Sequence, residues 1–357
     1  MPETLQQLMR RLAEIDAGEL PLISAYLDVR PEATGERPAL RAGLVVLRDR
    51  LREVRGTLGV RGPAVDSFEA DAARIASYVE GEMNAATEGL AIFACQGLGL
   101  FETVEAPVQF ENQVSVGPRA DLFQLARLLD EQETAVVAVV DTNTARLFVS
   151  RRGRLSERPG PDDDPESYRR TDVGGWSQAR YQRHIDEHRR EFAEEIARAI
   201  GQTAERERAA HIIVAGNETA MRWLDQALEK ELPPQVRALI RERLQIDMRA
   251  PLDEVAAEVA PVLRQIEQDA SADVVRGLIA EVRRGGLGVL GSENVRRALE
   301  RGQADVVVIG DGDPVSDDLR AELAREAALT GARVEVVAGN EQLRELGGVG
   351  ALLRWAG

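Results

Sequence analysis

The chain has 357 residues, with 45 Lys+Arg against 61 Asp+Glu and a formal net charge of −16. A chain this long holds two or three domains, and one this acidic is no general coat for nucleic acid, because phosphate binding needs local cation density. There is no run of about 20 apolar residues, so no membrane span is expected, and the single cysteine, Cys95, excludes an internal disulfide or a cysteine metal cage. The start, Met1-Pro2-Glu3-Thr4-Leu5, lacks the basic and apolar regions of a signal peptide. Together these features point to a cytoplasmic protein. Its cations are almost all arginine, Lys230 being the one lysine.

Residues 1–130 read as a mixed α/β N-terminal domain. An amphipathic helix opens it. Residues 22–29 form a strand, and Pro31 ends it. Helices are expected over 38–54, where Leu40, Leu44, Leu47 and Leu51 recur at helical spacing, and over 63–85. A hairpin of 89–95 and 100–104 turns at Gly97-Leu98-Gly99, and 119–131 reads as a linking helix. Residues 131–262 form a second domain. The apolar run 135–141 is a central strand, Thr142-Asn143-Thr144 turns it into a strand over 146–150, and Arg152-Gly153 is a further turn. A helix over 181–208, a strand over 211–216 and a helix over 218–232, stopped by Pro233-Pro234, follow. A long amphipathic helix over 252–284 bridges to the last domain, 263–357. There helices at 292–301, 317–329 and 340–346 alternate with strands at 304–310, 333–337 and 349–355, as in an α/β sandwich.

The loop between the second domain's meander and its long helix draws most attention. Pro159-Gly160-Pro161-Asp162-Asp163-Asp164-Pro165 rules out regular structure. Then come Gly174-Gly175-Trp176-Ser177-Gln178-Ala179-Arg180-Tyr181-Gln182-Arg183-His184. The glycine pair permits close backbone approach. Trp176 offers a stacking face, Gln178 a neutral two-sided hydrogen-bonding group, and Arg169, Arg170, Arg180 and Arg183 supply cations. The wider stretch from Arg146 to Arg190 is arginine-rich on an acidic body, which suits docking on RNA at one place. A plain solvent loop before a helix is the competing reading.

The last domain resembles the C-terminal domain of the archaeal–eukaryotic class-one release factors and of Pelota. Gly286-Leu287-Gly288-Val289-Leu290-Gly291, Val295 to Ile309, Ala324 to Ala332 and Leu346 to Trp355 carry the likeness. The second domain is similar to the RNase H-like middle domain of that family, with Gly174 to Gln178 where its Gly-Gly-Gln loop lies. Bacterial relatives of the Vms and Balon types are the nearest in kind. The resemblance implies a ribosomal A-site factor. It would cleave peptidyl-tRNA on stalled ribosomes, with Gln178 orienting water and Gly174 and Gly175 giving backbone approach. Trp176, Arg169, Arg170, Arg180, Arg183 and His184 would meet ribosomal RNA or the tRNA acceptor end. The implied alternatives are cleavage within the acceptor end, and a non-catalytic hibernation factor that fills the A site and peptidyl-transferase centre. A translational GTPase such as elongation factor Tu is the implied partner, and no cofactor is implied. Two departures stand out. Trp176 and Ser177 separate the glycines from Gln178, and neither stop-codon motif of the N-terminal domain is present, so stop reading is not expected.

Three other patterns have plainer readings. Gly286 to Gly291 spells a dinucleotide fingerprint but follows an expected helix, where that motif needs a strand. His184-Ile185-Asp186-Glu187-His188 spells an inverted zinc motif, yet the only other histidine, His211, begins a buried strand. Asp141 ends a central strand as a nuclease carboxylate would, but it also suits an Asp-Thr-Asn turn. No metal site is expected.

Overall fold

A computed structural model describes residues 3–32, 36–130, 134–151, 154–161, 178–312 and 314–355, with the side chains of 178–185 outside that description. The chain divides into two compact units, Met1–Glu131 with Gln268–Gly357, and Gln132–Glu267.

The first segment of unit one runs α1 (Leu5–Ala13), β1 (Leu22–Asp28), α2 (Pro38–Thr57), α3 (Pro63–Gly81), β2 (Gly89–Cys95), β3 (Leu100–Ala106), β4 (Gln113–Gly117) and α4 (Phe123–Asp130). Its sheet has the order β3-β2-β1-β4, with antiparallel pairs throughout. β1 is apolar on both sides because both are covered. Ile23, Ala25 and Leu27 face a core with Leu47, Phe68 and Ile75. Leu22 and Tyr26 join Leu8, Leu12 and Leu122 on the other side. A Thr4–Gln7 capping box starts α1 by satisfying two otherwise orphaned donors.

Unit two follows as β5 (Ala135–Val140), β6 (Ala145–Arg151), β7 (Arg154–Arg158), α5 (Gln178–Glu207), β8 (His211–Gly216), α6 (Glu218–Glu231), α7 (Pro234–Arg237), β9 (Ile240–Leu244) and the first part of α8 (Leu252–Arg283). The sheet order is β7-β6-β5-β8-β9. β5, β6 and β7 form an antiparallel meander, whereas β8 and β9 run parallel to β5. This is the arrangement expected of an RNase H-like domain. α5 and α6 cover one face through Phe192, Ile196, Ile200 and Leu224. α8 covers the other through Val255 and Val259, against Val137, Val139 and Ile213.

The remainder of unit one adds β10 (Gly288–Leu290), α9 (Ser292–Glu300), β11 (Ala304–Asp311), α10 (Asp317–Thr330), β12 (Arg333–Ala338), α11 (Glu341–Glu345) and β13 (Val349–Leu353). Its sheet order is β10-β13-β11-β12, and only β11 and β12 pair in parallel. The expectation of separate domains at 1–130 and 263–357 meets a different packing. One hydrophobic core holds Leu8, Leu12, Leu122 and Leu125 together with Val307, Leu323, Ala327 and Val349. The Asp130 carboxylate accepts from the Val336 amide at 2.8 Å, and Arg127 lies 3.5 Å from Asp311. Two sheets therefore share one interior, because the apolar faces of α1 and α4 close over the C-terminal sheet's helical side.

Within this unit Asp121 is buried. Its carboxylate accepts from the Phe123 amide at 3.1 Å, and its carbonyl accepts from the Tyr26 hydroxyl at 2.7 Å. Burial pushes its carboxyl up to about 6, with Asp317 and Asp318 adding to the rise while the Phe123 N–H and Arg320 oppose it. The folded state thus holds this proton more tightly than the unfolded chain, so the stability it confers is lost as pH climbs from about 4 through about 6. Asp121→Asn is expected to be more stable than the wild type above pH 7, by roughly 1–3 kcal/mol. Urea unfolding at pH 4, 5, 6 and 8 checks this, and the difference should shrink towards pH 4.

Candidate functional site

Parallel β5 and β8 end side by side at Val140 and Gly216, and β7 ends at the same edge of the sheet, Arg158 pairing with Leu147. The chain leaves β7 there. A Cβ on Gly160 would sit 2.6 Å from the Ala145 carbonyl oxygen, so only glycine lets the backbone lie this close against β6. Beyond Pro161 the chain passes through residues 162–177. Arg169, Arg170, Gly174, Gly175 and Trp176 lie outside the described residues.

The chain returns to description at Gln178, the first residue of α5. The sequence reading began this helix near Tyr181, with Gln178 on the loop, and the structure moves Gln178 onto the first helical turn. The physical reason is local: Gln178, Ala179 and Arg180 are strong helix formers, and Ser177 is a residue type that favours the position before a helix. Gln178 therefore has a backbone N–H without an intrahelical acceptor, at the positive end of the helix dipole. Arg180, Arg183 and His184 occupy the first two turns, and helical spacing brings their positions to one side of the helix. The first buried side chain described along α5 is Phe192; residues 186–191 are exposed or half-buried. The fourteen positions from Gln178 to Phe192 correspond to about 21 Å of helix.

The far end of α5 is fixed. The Glu207 carboxylate is nearly buried, pairs with Arg151, and lies 3.6 Å from Arg158 and 3.7 Å from Arg206. Lys230 of α6 pairs with Glu194 of α5 at 2.7 Å, and that ammonium holds the Glu194 carboxyl below its usual range. At the opposite edge, the Asp141 carboxylate accepts from the Asn217 side-chain amide at 2.7 Å and from the Thr142 amide at 2.6 Å. Asn217 in turn caps α6 by accepting from the Ala220 amide at 2.9 Å. Asp141 is thus a strut between two strand ends.

Several described arginines of this stretch have carboxylate partners. Arg146 makes a two-pronged contact with Glu157 at 2.7 and 3.1 Å, donates to the Ala250 carbonyl at 2.6 Å, and stacks over Phe148. That guanidinium holds the Glu157 carboxyl below its usual range. Arg189 and Arg190 face Asp186 and Glu187 one helical turn away. The Arg146–Glu157 contact is invisible in the sequence because the strand pairing that makes it is not local.

The remaining patterns resolve structurally. Gly286–Gly291 leads out of α8 into the edge strand β10, and the Leu287 amide donates to the Glu281 carboxylate at 2.9 Å. The glycines keep clear of Glu281 and the Leu278 carbonyl, so the run is a helix-to-strand turn. His211 accepts from Arg241 at 3.2 Å. No group of three metal-ligating side chains occurs among the described residues, and among them no helix is long and apolar enough to cross a membrane. A cleft of about 250 Å³ opens at the carboxyl ends of β11 and β12, lined by Asp311, Asn340, Glu341 and Arg344 among others. Asp311 is held there by Arg127 and Arg320, and Glu341 by Arg344.

Residues 121–264 match the sequence family described as Bacterial archaeo-eukaryotic release factor family 10. The matched segment takes in the meander, the loop, α5 and both parallel strands. The chain is release-factor-like across this segment. Among solved structures, a ribosome-bound archaeal Pelota is similar at 17% identity and TM-score 0.46, covering 99% of this chain and 94% of that one. Archaeoglobus fulgidus Pelota is similar at 16% and 0.39, covering 99% and 93%. Dom34 of S. cerevisiae, a translation termination-like factor interacting with Hbs1, is similar at 12% and 0.40, covering 72% and 75%.

Asn217→Ala removes both the α6 cap and the Asp141 contact. It should lower stability by about 1 kcal/mol. Asn217→Asp keeps the cap acceptor but sets two carboxylates together, so it should lose stability at pH 7 and regain it as the pH falls towards about 4. Thermal unfolding of the two variants at pH 7 and pH 4 measures this.

Proposed function

We propose that this protein enters the ribosomal A site and cleaves peptidyl-tRNA on stalled ribosomes without reading a codon. The observation that carries the reading is the release-factor match over residues 121–264, which takes in the Gly174 to Gln178 segment at the start of α5. Hydrolysis of the ester needs a positioned water and donors for the developing oxyanion, more than a titrating base. A Gln amide can accept from a water and donate to an oxyanion. In this reading Gln178 does so, and Gly174 and Gly175 let the backbone approach the ester. Trp176 stacks on an unpaired base. Arg169, Arg170, Arg180, Arg183 and His184 meet phosphates of ribosomal RNA or the acceptor end. The working compartment is the cytoplasm, and the delivering partner is a translational GTPase such as elongation factor Tu.

A second reading has its own support. Trp176 and Ser177 interrupt the Gly-Gly-Gln pattern, and Gln178 belongs to a helix. A helical start is stiffer than a glycine hinge, which favours a hibernation factor that occupies the peptidyl-transferase centre without cleaving.

Release from stalled ribosome–nascent-chain complexes separates the two. Cleavage predicts release by the wild type and a fall of about 100-fold or more for Gln178→Ala, the size expected for loss of one oriented transition-state group. Tight binding without release by either protein would overturn cleavage and favour occupancy.

A further inference from the structure

α2 carries a stripe that the proposed function leaves unused. Residues 37–62 hold seven arginines against two acids, on a chain of net charge −16. The core side of α2 is Leu40, Leu44, Leu47, Leu51 and Val54. Away from it, Arg41, Val45, Arg48, Arg52 and Arg55 follow one another at steps of four, three, four and three, which makes a single stripe. It extends about 21 Å along the helix axis, and Arg61 stands beyond its end.

These guanidinium groups are poorly neutralised. Arg41 is 75% exposed and 3.8 Å from Glu36; Arg52 is 78% exposed and 3.1 Å from Asp49. Arg50 pairs with Glu53 and Arg55 with Glu69 of α3, both in exposed positions. Such surface pairs are worth little and exchange readily for other anions. Arg48 and Arg61 have no ion pair or hydrogen bond among the described residues. Exposed Val45, Val46 and Val60 lie between the charges. The pairs of unit two are more covered: Arg146 and Arg158 are half-buried, and Arg151 and Arg158 meet the nearly buried Glu207.

A straight row of arginines with no aromatic residue between them suits phosphates above all. An RNA strand presents one phosphate per nucleotide in line, which a row of arginines three and four residues apart can meet one after another. We infer that the α2 stripe is a docking surface for the phosphate backbone of structured RNA, independent of base sequence. The stripe belongs to unit one, so the inference does not rest on the chemistry proposed for Gln178.

The test is a fluorescence-anisotropy titration of the full-length protein with a fluorescein-labelled RNA hairpin, across a series of KCl concentrations. The triple variant Arg41→Ala/Arg48→Ala/Arg52→Ala should bind about tenfold or more weakly near 100 mM KCl, with a log–log salt slope shallower by about two to three. Arg296→Ala/Arg297→Ala/Arg301→Ala, which removes equal charge from α9 and its C-terminal cap, should bind within about twofold of wild type. Circular dichroism confirms that both variants fold. Three outcomes would overturn the inference: no binding of the hairpin by wild type, equal affinity and slope in the α2 variant, or equal weakening by both variants. Displacement of the hairpin by polyglutamate as readily as by unlabelled RNA would also overturn it, in favour of an acidic protein partner. Arg180→Ala/Arg183→Ala in the same titration reads the α5 site separately, so either surface can fail alone.

Discussion

A 30-residue helix spans about 45 Å, and the six-residue strands beneath it run only about 20 Å. α5 therefore cannot pack along its whole length on its own sheet. The half from Phe192 onwards is bound by the core, and Glu207 is pinned by Arg151 and Arg158. The half that begins at Gln178 has no comparable apolar stripe in the sequence. Much of unit two can be understood as a mount for that half: a rigid sheet, a covered opposite face and a fixed distal end.

Charge is arranged to the same end. An acidic molecule resists binding RNA everywhere, so any cationic surface it does present acts locally. In unit two, Arg146, Arg151 and Arg158 of the meander each meet a carboxylate and help hold strands and helix together. Arg146 ties β6 to β7 and to the turn at Ala250. In unit one the α2 arginines face outward with weak partners.

Much of the fold was legible in residues alone. The run Ala135 to Val140 is buried at every position, as continuous apolar strands are when both faces are covered. The caps at Asn217, Ser316 and Asn340 are residue types that begin helices, and each caps one. What escaped notice were edge strands. β9 reads Ile-Arg-Glu-Arg-Leu and β7 Arg-Leu-Ser-Glu-Arg, and charged edges look like loops because their exposed sides are designed to stay unpaired. β10 hid inside a glycine run. The shared interior of α1, α4 and the C-terminal sheet could not be read either, since nothing local joins Leu12 to Leu323. At the candidate site, Ser177 followed by Gln, Ala and Arg is a local signal for the helix start at Gln178, and the preceding glycines mask it.

The proposal that Gln178 reaches the peptidyl-transferase centre can be probed without any catalytic step. Cys95 is buried, so Ser177→Cys adds a distinct thiol next to Gln178 in the sequence, to which an iron chelate can be tethered. Hydroxyl-radical cleavage of ribosomal RNA then maps the surroundings of that residue on stalled ribosomes. Cuts confined to the peptidyl-transferase region of the large-subunit RNA are the expected result. Cuts elsewhere on the ribosome, or none from a bound and folded protein, would contradict it.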